Sequence, residues 1–154
     1  MSRYSILPYL ALLLATPISA KIIENIPYYP ENKDVYKAEQ CHLDLYIPDG
    51  VENYPTVVWF HGGGLKNGKR YIPEALRGKG IAVAAVSYRL SPKVKAPAYI
   101  EDAAAATAWV FEQIEQHGGN PAKIYLSGHS AGGYQVAILG LDTRWLEAHG
   151  IAPS

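Results

Sequence analysis

Two stretches of the chain are apolar without interruption: Thr56-Val57-Val58-Trp59-Phe60 and Ile81-Ala82-Val83-Ala84-Ala85-Val86. Short unbroken runs of this kind predict strands covered on both faces, as in a parallel sheet. His42 to Ile47 behaves differently. His42, Asp44 and Tyr46 fall on one side, and Leu43, Leu45 and Ile47 on the other. That alternation predicts a strand with one wetter face. Val35 to Gln40 is read as a second short strand on the same ground, and Pro48-Asp49-Gly50 as the turn that follows. From Tyr99 the period lengthens, placing Ala103, Ala106, Val110 and Ile114 on one face of a helix. His117-Gly118-Gly119 and Asn120-Pro121 end it. Lys123–Ser127 reads as a short strand, and Ala131–Leu141 as a helix with Val136, Leu139 and Gly140 inward. Tyr71–Lys79 reads as a helix stopped by Gly80, Arg89–Pro97 as a loop, and Ile22–Asn32, with Pro27 and Pro30, as an extended arm. Strands alternating with helices define an α/β class, with a mostly parallel sheet and flanking helices.

Length and composition narrow what such a chain can do. At 154 residues it is one domain with room for a sizeable core. Lys plus Arg equal Asp plus Glu at 14 each, so no basic surplus invites nucleic acid. The single cysteine, Cys41, excludes an intrachain disulfide and a cysteine-based metal site; its place in a predicted strand suits a packed thiol. Tyrosines outnumber phenylalanines 12 to 2 and are read as strand and rim residues. The N-terminal MSRYSILPYLALLLATPISA has a basic start, an apolar run and small residues at its end. This is the form of a secretory signal peptide, and the run is too short for a stable membrane span. The expected organisation is a signal peptide over 1–20, an extended arm over 21–33 and the folded domain over 34–154. The expected location is secreted or periplasmic.

The chemistry lies where strands stop. Ile124-Tyr125-Leu126-Ser127 runs into Gly128-His129-Ser130-Ala131-Gly132, directly before a predicted helix. A chain that passes from strand to helix in one residue must strain that residue, and the glycines clear space around it. The Ser130 hydroxyl is thereby exposed at a helix N-terminus, with the Ala131 amide beside it. His61-Gly62-Gly63-Gly64 follows another buried strand. Glycines there let the Gly63 and Gly64 amides approach a developing oxyanion. Gly63 to Lys69 also has the G-x-x-x-x-G-K spacing of a phosphate loop. Arg70 stands where a Ser or Thr would hold Mg²⁺, and no later strand clearly ends in a metal-binding Asp, so neither nucleotide nor metal is expected.

WFHGGG (Trp59–Gly64), SYRLSP (Ser87–Pro92) and SGHSAGG (Ser127–Gly133) together resemble the α/β-hydrolase esterases. The similarity is to the HGGG, hormone-sensitive-lipase-like carboxylesterases and the kynurenine-formamidase-like group. It implies carboxylic ester hydrolysis without a cofactor, with Ser130 as nucleophile and Gly63, Gly64 and Ala131 as oxyanion donors. It implies a small-molecule ester as partner; Arg89 and Asp102 also sit in matching stretches and are read as structural, Arg89 pairing near a strand end and Asp102 near a helix start.

The same resemblance exposes a gap. In that fold the acid and the histidine follow the serine along the chain. After Ser130 only Asp142, Glu147 and His149 remain. At about 1.5 Å per residue, the intervening helix carries Asp142 about 18 Å away. His61 belongs to the oxyanion loop, and the His129 side chain is expected to point away from the attack site. The reading is therefore the N-terminal portion of an esterase, truncated after the nucleophile-elbow helix, with no turnover by the chain alone and an unpaired sheet edge at Lys123–Ser127. The rival is a non-catalytic α/β-hydrolase-like module for binding or interaction.

Overall fold

The computed structural model describes residues 20–31 and 33–152, so the signal-peptide reading of 1–20 falls, Ala20 apart, outside the described residues. A single five-stranded sheet has the order β1-β2-β4-β3-β5. Its strands are β1 (Lys21–Pro27), β2 (His42–Ile47), β3 (Tyr54–Phe60), β4 (Ala82–Val86) and β5 (Gly119–Gly128). Pairings of β3 with β4 and of β3 with β5 are parallel, and those of β2 with β1 and β4 antiparallel. Only β2 therefore runs against the others, and the sheet is mostly parallel. Every residue of β4 is buried, as its unbroken apolar run requires.

One face of the sheet carries the main core. Leu43, Leu45, Val58, Phe60 and Val86 pack there against α2 (Ala98–Gln113) and α3 (Ala131–Leu141). Each such side chain stabilises the fold by about 1.5–3 kcal/mol relative to exposure. Ala103, Ala106, Val110 and Ile114 are fully buried, as the helical period predicted. Small side chains let α2 lie close on the strands. The opposite face has a smaller cluster of Tyr46, Ile72, Val83 and Ala85, with Trp59 and Leu76 packed on it. Among the described strands β5 is an edge, and Tyr125 on it is exposed. An open apolar groove of 440 Å³, lined by Ile124, Leu126, Leu139 and Leu146, lies beside it.

Several expectations need correction. Val35–Gln40 is a helix, α1, and not a strand: the Asp34 side chain accepts from the Lys37 amide and caps it. Six residues are too few for alternation to outweigh a good N-cap. Cys41 accordingly sits between α1 and β2, fully buried, and burial pushes its thiol up to about 12. Of the helix expected over Tyr71–Lys79 only a single 3₁₀ turn forms, Glu74–Leu76. Pro73 removes a donor inside the expected span, and Gly78 has φ 66°. The arm after Ala20 is extended, but Lys21–Pro27 is a sheet strand paired with β2. β5 starts at Gly119, opposite Tyr54, with a register shift before Thr56 that absorbs the Asn120-Pro121 turn. On α3 the inward face is Ala131, Gly132, Gln135 and Leu139, whereas Gly140 is exposed. A last short helix, α4 (Arg144–Glu147), buries Leu146.

Candidate active site

β3 and β5 end side by side, Phe60 opposite Gly128. The His129 amide donates to the Phe60 carbonyl at 3.2 Å, a last bond between the two chains as they leave the sheet. Ser130 then reverses the direction with φ 54° and ψ −114°. For a residue with a side chain this conformation costs of the order of 1–3 kcal/mol. The surroundings enforce it: the Gly132 amide donates to the His129 carbonyl (2.9 Å) and the Tyr134 amide to that of Ser130 (3.0 Å). Ser130 is exposed and makes no side-chain cap to α3, the helix it opens. The first-turn donors of α3 thus face the space beside the hydroxyl.

The loop after β3 comes directly against this turn. A Cβ on Gly62 would lie 2.9 Å from His129 Nδ1 and 3.3 Å from Ser130 Cβ. The ring of His129 therefore lies against Gly62. Gly63 (φ 113°), Gly64 (φ 62°) and Leu65 (φ 60°) curl the loop, and the Gly63 carbonyl accepts from Lys66 (3.1 Å) and Asn67 (3.0 Å) amides. No described backbone oxygen accepts from the amides of Gly63, Gly64 or Ala131.

Beneath the loop His61 is 1% exposed. Its ring stacks on Tyr88, centroids 4.4 Å apart and planes 11° apart, and the Tyr88 hydroxyl donates to the His61 carbonyl at 2.7 Å. Nδ1 lies 2.6 Å from the Gly62 carbonyl. A carbonyl only accepts, so Nδ1 carries the proton and Nε2 is bare. Burial pushes the imidazole below its ordinary value, partly opposed by that bond to Gly62. Burial likewise lowers His42 and His117. Native protein then binds fewer protons than unfolded protein from about 6.5 down to the lowered values. Stability is expected to hold above that point, to fall as pH drops through the window, and to level off below it. Urea midpoints measured from pH 7.5 to 4.5 check this; a midpoint that rises on acidification contradicts it.

Arg89 and Asp102 are structural neighbours. Asp102 is fully buried and accepts from Arg89 Nε at 2.8 Å, Nη2 at 2.7 Å and the Arg89 amide at 3.0 Å. The phosphate-loop alternative lacks its helix: no α-helix opens after Gly68 and Lys69, and Arg70, in the place of the metal-binding Ser or Thr, pairs with Asp44 at 2.7 Å. Downstream residues do not gather at Ser130. Asp142 pairs with Arg144 at 2.7 Å, and His149 lines a groove with Pro27, Tyr29 and Trp109. Glu147 closes α4. Sequence reading missed the buried polar group formed by His61, Tyr88 and Gln135; the one signal was a glutamine on the inward face of an apolar helix.

A parallel sheet that delivers a strained serine at a strand-to-helix turn, with a glycine loop from a neighbouring strand against it, defines the α/β-hydrolase fold. Solved structures agree. Esterase B from Lactobacillus rhamnosus HN001 superposes with a TM-score of 0.70 at 28% identity, over 86% of this chain and 44% of that one. A bacterial heroin esterase gives 0.65 at 26% identity, over 88% and 42%. The BD-FAE family pattern matches residues 43–149, and the chain belongs to that family. Among curated relatives, carboxylesterase NlhH of Mycobacterium tuberculosis is 40% identical over 101 residues, 62% of this chain and 32% of its own length. The chain spans about a third of the length of that relative.

Proposed function

We propose that the protein is a carboxylic ester hydrolase that acts through an acyl-enzyme on Ser130. The observation that carries this is the φ of 54° at Ser130, held between β5 and α3 with Gly62 against its Cβ. Ser130 Oγ attacks the ester carbonyl, and the carbonyl oxygen takes the negative charge. In this reading the amides of Gly63, Gly64 and Ala131 receive it, supported by the absence of a described backbone acceptor for them. Removing one such donor typically costs about 100–1,000-fold in turnover. The substrate is a small-molecule ester, and the chemistry needs no cofactor. The base and acid that activate Ser130 are not among the described residues brought to it, so the 154-residue chain by itself is expected to lack turnover.

The protein expressed from its full gene tests this. A fluorophosphonate probe is expected to label one serine, mapped by mass spectrometry to Ser130, and Ser130→Ala to abolish the labelling. An adduct elsewhere sinks the assignment. No adduct at all favours the second reading, a non-catalytic binding or interaction module, which the engagement of Asp142 with Arg144 and of His149 in another groove supports.

The reading includes export, to the periplasm or the medium. It is supported by the signal-like composition of 1–20 and by a sheet that, among the described residues, begins at Lys21. N-terminal sequencing of exported protein is expected to begin at Lys21. A cytosolic product that retains Met1 overturns it. No described helix is long and apolar enough to cross a membrane.

A further inference from the structure

The nucleophile and two of the oxyanion donors of the proposed site, Gly63 and Gly64, sit on different elements, and such sites work only when held within about 0.5 Å. Something must tie the loop after β3 to α3. Gln135 is on the inward face of α3, fully buried, five positions after Ser130. Neither of its amide atoms has a hydrogen-bond partner, and neither does His61 Nε2. Tyr88 stands between them: its ring stacks on His61, its hydroxyl bonds the His61 carbonyl, and the Gln135 amide lies near that hydroxyl without bonding it. Gly132, one turn before Gln135, lies directly against the backbone of Phe60 and His61. Three buried polar atoms without a partner therefore belong to two side chains that flank Tyr88 beneath the glycine loop. They are complementary, because Nδ1 holds the imidazole proton, Nε2 is an acceptor, and the Gln135 amide nitrogen is a donor.

Buried polar groups are almost always partnered, by protein groups or by ordered water. We propose that Gln135 is a positioning residue: its side-chain amide, through one bridging water, hydrogen-bonds His61 Nε2 and so ties the Gly62–Gly64 loop to the helix that carries Ser130. The water accepts from Gln135 Nε2 and donates to His61 Nε2. The catalytic consequence rests on the reading of Ser130 as nucleophile; the link itself does not.

Two readouts separate them. Long-range ¹H–¹⁵N spectra of the ¹⁵N-labelled protein are expected to show His61 protonated at Nδ1 with a hydrogen-bonded Nε2. In Gln135→Met, which keeps the volume and removes the amide, the Nε2 resonance is expected to move to that of a nitrogen without a donor. In the protein from the full gene, the same variant is expected to slow phosphonylation of Ser130 roughly 10–100-fold while probe binding stays unchanged. A wild-type His61 protonated at Nε2 overturns the proposal even if the variant fails to fold. So does an Nε2 resonance that ignores the substitution, or one that moves while the phosphonylation rate holds. A wild-type Ser130 that never labels, with the Nε2 shift present, overturns the nucleophile reading and supports the link.

Discussion

Asp102→Ala is expected to lower the free energy of unfolding by about 3–5 kcal/mol, a large part of the about 5–15 kcal/mol that a domain possesses. The Asp102 carboxylate is fully buried and takes both Nε and Nη2 of Arg89, the Arg89 amide, and the Tyr29 hydroxyl at 3.3 Å. Without it the guanidinium, 7% exposed, keeps only the Ala98 carbonyl at 3.3 Å and Glu101 at 3.8 Å. The loss is that of a charge left buried and poorly paired, so it exceeds what the pair contributes. Arg89→Met with Asp102→Leu removes both charges and is expected to recover most of the loss. Urea unfolding of the parent, the single variant and the double variant measures it. A single variant within about 1 kcal/mol of the parent, the scale of an exposed pair, contradicts the argument.

Gly132→Ala is expected to destabilise by about 1–3 kcal/mol and to slow phosphonylation of Ser130 by about 100-fold. A Cβ there would come 2.6 Å from the Phe60 carbonyl carbon and 2.9 Å from the His61 oxygen, and closer still to the oxygen of Phe60. These are backbone atoms at the end of β3, so neither side can yield by rotating a side chain. Either α3 or the loop must shift, and the serine and the glycine loop part company. The same helix holds the control. Gly140 is exposed and has nothing within 4 Å of an added Cβ. Gly140→Ala is expected to stabilise by about 0.5–1 kcal/mol, since only the entropy of the unfolded chain changes. Equal effects at the two positions would show that close approach does not set the Gly132 requirement.

The strands that build the sheet centre were legible from their apolar runs; β4, Ala82–Val86, is buried on both faces as expected, whereas in Thr56 to Phe60 one face is buried and Val57 and Trp59 on the other are only half-buried. The Ala-rich face of α2 was legible because its period is helical over four turns. Two other short elements were not. Val35–Gln40 alternates by accident, and what makes it a helix is a cap from Asp34. Tyr71–Lys79 has helical composition, yet Pro73 and the positive φ of Gly78 cut it to one turn. In both, one local bond or one backbone angle outweighs a pattern six to nine residues long.

For the site, the sequence alone determined which residues could carry chemistry: a serine between glycines at a strand end, and a glycine run after a buried strand. Both signals are local, because a strained turn and a close backbone approach each demand particular residues at particular spacings. The tertiary structure decided what lies against what. It set Gly62 on Ser130, stacked Tyr88 on His61, buried Gln135 below them, and joined Arg89 to Asp102 across the fold. Such contacts come from the parallel register of β3 and β5 and from the angle at which α3 crosses them. No spacing along the chain encodes them, since each is a contact between segments that only the completed sheet brings together.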